Sequence, residues 1–356
     1  MTTRIEKTKK PRTVSGNHGQ FWKEYNLAQT TEKVDVPKIA RVLCEYVVDP
    51  VSSGPGRPSA DYADKAFCVL IKAFESDSAR RCTADLTIAA DLGLISHVPH
   101  FNTVLNYARD EYLAEILEQL VIRSSFPLRK HEKGIAVDST SFSTDQYVRW
   151  RQVKFGKSED WHDWRKLHVA CGVDTHIITA VLTSAAYAND YTFLRALLRT
   201  TAESGFEILE VYADKAYLGG ENIRAIAMLG AVPFVPPKAR TSAEGKSTTW
   251  KQMYSLYENE PEEFNAHYHQ RSNVETVFSM MKEVFDVRLR TKSECAQRTE
   301  LLAKALCHNI RVLIQCKYQL GITLDFSDVP SPVADPNGQL ALAASRFNYQ
   351  AGINKA

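Results

Sequence analysis

Tyr268-His269-Gln270-Arg271-Ser272-Asn273-Val274-Glu275 leads through Val277-Phe278 and Met281 to Lys282. Projected on a helix at about 100° per residue, Tyr268, Arg271, Glu275 and Lys282 fall within an arc of about 60°. Val274, Val277, Phe278, Met281 and Phe285 form a wider stripe beside them, the face expected to bury. A carboxylate is therefore predicted between two cations and a phenol, at the edge of a face that docks on a core. The competing reading is a solvated face with an i,i+4 Arg–Glu pair, worth little in itself.

The residues before this stretch weigh against a bare surface. Ile135-Ala136-Val137 is an apolar run closed by Asp138-Ser139-Thr140-Ser141, and Ile208 to Ala213 is an apolar-rich strand closed by Asp214-Lys215-Ala216-Tyr217. Leu167 to Val173 and Ile177 to Leu182 read as two more strands, joined by a hairpin turn at Asp174-Thr175-His176. Tyr191 to Thr200 is predicted helical, and Ala231 to Val235 is a last strand whose Pro233 places it near a sheet edge. The order is β, β, β, α, β, α, β and then the helix of Glu275, an α/β pattern. A carboxylate that closes a core strand is costly unless paired or bound to a metal. Two such aspartates and a helix-borne glutamate make a three-carboxylate oxygen site suited to Mg²⁺.

Cations interleaved with aromatics run through Arg149-Trp150-Arg151 and on to Trp164-Arg165-Lys166, as a nucleic-acid groove requires, the other reading being a basic β-hairpin with no partner. Lys238 and Arg240 add two more after the last strand, and Trp250 reads either as core packing or as a stacking wedge. Upstream, Ala79 to Asp91 is predicted helical, Leu92-Gly93-Leu94 a tight break, and His100 to Arg109 a second helix. That is the layout of a helix-turn-helix reader, with His100, Asn102, Thr103 and Asn106 facing base edges, or of a plain helical hairpin. Glu111 to Leu128 continues as a helix towards the next domain. The basic arm from Arg4 to Arg12 is a solvated tail or a phosphate contact.

Composition sets outer bounds. With 356 residues, 44% apolar and 24% charged, the chain is globular and long enough for two domains. A net charge of +2 requires any nucleic-acid surface to come from local clustering. Seven scattered cysteines without a CxxC pair point to reduced thiols in a cytosolic compartment and away from a zinc site. The amino terminus lacks the apolar stretch of a secretory signal, and no run of about 18 apolar residues predicts a membrane span.

Tyr268, Arg271, Glu275 and Lys282 in the spacing Tyr-x₂-Arg-x₃-Glu-x₆-Lys resemble the signature helix of bacterial insertion-sequence transposases of the four/five superfamily. Ala136-Val137-Asp138-Ser139-Thr140 and Ala213-Asp214-Lys215-Ala216-Tyr217 are similar to the two aspartate motifs of the same enzymes. The likeness spans roughly residues 57 to 315, with Asn189-Asp190 where relatives often carry His-Asp. The resemblance implies a ribonuclease-H-like core, a mixed sheet flanked by helices, with an Asp138, Asp214 and Glu275 triad holding two Mg²⁺ ions, Mn²⁺ being able to substitute. It implies cleavage and joining of double-stranded DNA at transposon ends and in target DNA. Tyr268, Arg271 and Lys282 would grip phosphates, in a homodimeric synaptic complex. The expected organisation is a helical DNA-binding region over 1–130 with a helix-turn-helix-like pair near 79–110. A catalytic domain follows over 131–324, then a tail over 325–356. A bacterial cytoplasmic, nucleoid-associated protein follows from that reading. The alternatives are a ribonuclease-H-like nuclease that does not join ends, and a transposase-derived regulator that only binds DNA.

Overall fold

The computed structural model describes residues 22–50, 60–144, 164–239, 241–244 and 246–327. The basic arm, Arg149, Arg151, Arg240 and the tail beyond 327 lie outside the described residues.

A five-stranded sheet forms the centre, in the order β3-β2-β1-β4-β5. Its strands are β1 (Gly134–Ser143), β2 (Trp164–Gly172), β3 (Ile178–Ala185), β4 (Glu210–Ala213) and β5 (Val232–Phe234). β1 pairs antiparallel with β2 and parallel with β4; β2–β3 is antiparallel and β4–β5 parallel. Ile135, Ala136 and Val137 are fully buried because the strand that carries them is central and covered on both faces. β5, with Pro233, is an edge strand as predicted.

The expectation that Asp138 closes its strand needs correcting. β1 runs on through Ser139, Thr140 and Ser141 to Ser143, each with a partner in β2. Only the parallel pairing to β4 stops at Val137. Polar residues continue the strand because β2 supplies the ladder, and the same ladder makes Trp164, Arg165 and Lys166 the start of β2 instead of a groove loop.

Among the described residues, six helices follow or flank the sheet: α6 (Leu194–Glu203), α7 (Gly220–Met228), α8 (Thr248–Asn259), α9 (Pro261–Tyr268), α10 (Ser272–Phe285) and α11 (Glu294–Leu320). The sequence expectation passed over α8 and α9. α10 buries Val274, Val277, Phe278, Met281 and Phe285, the predicted stripe. The expected continuous helix from Tyr268 is broken: Tyr268 ends α9, His269–Arg271 form a 3₁₀ turn, and α10 begins at Ser272. α11 starts on the Ser293 side chain, which accepts from Ala296 N, and ends at Gly321 with φ 66°, where glycine relieves the left-handed turn.

Among the described residues, five helices precede the sheet: α1 (Trp22–Cys44), α2 (Tyr62–Glu75), α3 (Ala79–Asp91), α4 (Phe101–Tyr107) and α5 (Glu111–Ser124). α11 packs against α1, α2 and α5, so its apolar residues are buried nearly all round. Asn309 on α11 also caps the β3 edge, accepting from Ile178 N and donating to Ile178 O, both at 2.8 Å. Phe326 is buried, and its carbonyl accepts from Arg123 at 2.8 Å, so packing extends past the expected boundary at 325. The cysteines are free, and all but Cys295 are buried. No helix among the described residues is long and apolar enough to cross a membrane.

Candidate active site

Alternation along β1 turns Asp138 and Thr140 to the face where α10 packs, and Ser139, paired across the ladder with His168, to the other. Asp214 follows β4 directly and its side chain accepts from Lys215 N, capping a short 3₁₀ turn. Glu275 lies in the first turn of α10 and is exposed. Arg271 joins two of the acids: its Nη1 donates to Asp138 Oδ2 at 2.9 Å and its Nη2 to Glu275 Oε1 at 2.5 Å. Tyr268 stands beside the guanidinium, whose carbon is 5.8 Å from the ring centroid. About two turns of helix beyond Glu275, Lys282 Nζ donates to Thr140 Oγ1 at 2.6 Å.

The electrostatics follow from this crowding. Burial pushes the Asp138 carboxyl up to about 6, against the Ser139 N–H and Arg271, which favour its anion. The charges of Asp214 and Glu275 raise it further. Burial draws Lys282 below the usual lysine range.

The donor set suits a hard divalent cation: carboxylate oxygens, one of them on a half-desolvated strand residue whose anion is disfavoured until positive charge arrives. As the side chains lie, no three His, Cys, Asp or Glu groups among the described residues stand close enough to share a metal. Arg271 supplies the positive charge between Asp138 and Glu275 instead. Asp138 and Glu275, which share the guanidinium, and Asp214 at the end of β4 are the carboxylates that could hold an ion here.

Other sequence candidates lie elsewhere. Lys166 Nζ is engaged with Asp190 Oδ1 and Ala188 O, both at 3.0 Å, and Arg165 with Glu294 and Gln297. These internal partners compete with any DNA contact. Asp190, given no role from the sequence, also lies 3.5 Å from the buried His168 ring. Lys238 is exposed. Trp250 is 4% exposed within the core, with Lys246 over its ring, so its placement favours packing over stacking on a base. Asn102 and Asn106 are exposed on α4, but α3 and α4 are separated by residues 92–100 and α4 spans only Phe101–Tyr107. The tight break expected at Leu92-Gly93-Leu94 is thus the start of a longer connection, held by Ser96 on Asp64.

Two partnerships escaped the sequence reading. Thr140 had a signal, since it shares the strand face of Asp138 two residues on. The bond between His176 Nε2 and Asn273 Oδ1, at 3.1 Å, had none, because 97 residues separate the pair.

A 3-2-1-4-5 sheet with its first three strands antiparallel, flanked by helices and carrying acids on β1, after β4 and on a following helix, is a ribonuclease-H-like fold. Residues 129–310, just over half of the chain, match the family described as Transposase DDE domain, and the chain belongs to that family. It is a transposase, an enzyme that processes DNA, of a family that generally uses divalent metal ions. No curated protein matches the chain.

Proposed function

We propose that the chain binds the terminal inverted repeats of an insertion sequence of the four/five type and carries out Mg²⁺-dependent strand cleavage and strand transfer with Asp138, Asp214 and Glu275. The observation that carries this reading is the single Arg271 guanidinium bonded to Asp138 on β1 and to Glu275 on α10, which brings two of the acids to one point. Cleavage breaks a phosphodiester O–P bond with water as nucleophile and leaves a 3′-OH; transfer uses that 3′-OH on a target phosphate. Two bound Mg²⁺ or Mn²⁺ ions supply activation of the nucleophile and stabilisation of the leaving oxygen.

The chain's own residues then hold the substrate. A backbone phosphate offers Arg271 an alternative partner to the acids, in the bidentate geometry that guanidinium favours. Lys282, fixed by Thr140, and Tyr268 grip the same strand. Exposed Lys238 adds a further cation for the backbone, and Asn102 and Asn106 on α4 read base edges of the repeat. Two protomers pair two ends in a synaptic homodimer, in the bacterial cytoplasm at the nucleoid.

The test is an end-DNA cleavage assay with Asp138→Asn, Asp214→Asn and Glu275→Gln. Each should abolish metal-dependent cutting, because each removes an anionic oxygen ligand. Substantial cutting by any one removes that residue from the site. Adding target DNA with a pre-cut 3′-OH end separates a transposase from a nuclease, which would cut and not join.

A further inference from the structure

α10 begins without a side-chain cap: Arg271, the residue before it, is itself helical and makes no capping bond. The preceding 3₁₀ turn meets Ser272 N with the carbonyls of Gln270 and His269, so what remains to be set is how this turn is held against the sheet. Arg271 holds it to β1, and the β2–β3 turn makes a second contact. His176 Nε2 lies 3.1 Å from Asn273 Oδ1, in the turn of helix that carries Glu275. Asn273 Nδ2 donates to Gln270 O at 2.9 Å and to Gln270 Oε1 at 3.0 Å, which leaves Oδ1 as the acceptor. His176 therefore donates from Nε2, as a neutral ring whose proton affinity burial lowers.

The turn is itself tied down. His308 on α11 donates from Nε2 to the His176 carbonyl at 3.0 Å. Glu132 accepts from Asp174 N at 3.1 Å and from Thr175 N at 2.6 Å. His176 has φ 65°, a left-handed conformation that glycine or asparagine adopts with less strain. A buried histidine kept there implies that the imidazole does something the backbone alone would not require.

We propose that His176 is a positioning residue for the catalytic helix: through Asn273 it sets the height and rotation of the first turn of α10, and so the place of Glu275 against Asp138. The inference rests on the triad reading above. A misplacement of about 1 Å in a reacting constellation costs about 10²-fold in rate, while phosphate contacts elsewhere are untouched.

The experiment measures single-turnover cleavage of end DNA, and its dissociation constant, for His176→Ala, Asn273→Ala, the double variant and His176→Gln. The single variants should cut about ten- to a hundredfold more slowly and bind end DNA within about twofold of wild type. The double variant should be no slower than the singles, because both remove one bond. His176→Gln, which keeps an N–H donor at similar reach, should recover most of the rate. Thr175→Ala, which removes only the hydroxyl bond to Glu132 and keeps the clamp's two backbone bonds and the histidine bond, should cut at close to the wild-type rate. Asn273→Ala carries the test if His176→Ala does not fold. Wild-type cutting by Asn273→Ala, or equal slowing by Thr175→Ala, overturns the proposal. Cutting by Glu275→Gln would instead overturn the triad, so the two failures are distinguishable.

Discussion

Arg271 donates to Asp138 across 2.9 Å and holds Glu275 with its other nitrogen, so one guanidinium ties strand β1 to helix α10 at their acids. An exposed i,i+4 pair would contribute only about 0.3–0.5 kcal/mol. The contact to Asp138 is of another kind, since it spans 133 positions of sequence and both side chains are about four-fifths covered. It makes Arg271 the link between the two acids, and in the proposed reaction the group that substrate phosphate would meet.

If phosphate takes Arg271 and Lys282, affinity for end DNA should report it. Arg271→Ala and Lys282→Ala should each lower the salt slope of log affinity by about 0.9 on duplex, or about 0.7 on a single strand. Glu275→Gln removes a negative charge, so metal-free binding should hold or tighten. Titrations at several salt concentrations in EDTA check this; wild-type slopes for both cation variants would return the stripe to a plain surface.

Asp138 should limit stability. Its folded pKa of about 6 lies above the ordinary aspartate value of 3.8, so the folded chain keeps a proton that the unfolded chain releases between those values. The contribution is favourable below about pH 4 and is lost as pH rises through about 6. Asp138→Asn should therefore be more stable than wild type at pH 7, by on the order of 1–3 kcal/mol, with the gain vanishing near pH 4. Urea unfolding at the two pH values measures it, and a variant less stable at pH 7 would contradict the assigned direction.

Glu132 is fully buried, and burial raises its carboxyl from 4.5 to about 7 despite bonds from Thr175 and Asp174 that favour the anion. The sign is the same: its contribution is present below about pH 4.5 and declines towards pH 7. Glu132→Gln turns an NH₂ towards a backbone N–H donor in the Asp174–Thr175 turn. The expected cost at pH 5 is about 1–3 kcal/mol, with a flatter pH dependence between 5 and 7 than wild type. Thermal unfolding across that window reads both.

The α3–α4 region carries a prediction of its own. Asn102→Ala or Asn106→Ala should each cost about 1–3 kcal/mol of preference for end DNA over random DNA if its amide makes a bidentate base contact. Competition binding with the full chain checks this. Undiminished preference in both variants would make the pair a structural hairpin, which the long connection over residues 92–100 and the seven-residue α4 already resemble.

Local pattern by itself marked the five strands, the buried stripe of α10 and Asp138, Asp214 and Glu275 as candidate acids, but not α8 or α9. Apolar periodicity marks a face, and a charged residue at the end of an apolar run is conspicuous whatever surrounds it. The tertiary structure alone decided how far β1 runs, because polar Ser139 to Ser143 become strand only where β2 offers hydrogen-bond partners. It also decided that Lys166 pairs with Asp190, that Trp250 is buried, and that His176 reaches Asn273. Such contacts join residues far apart along the chain, and no local periodicity encodes a partner that only folding brings within 3 Å or so of its mate.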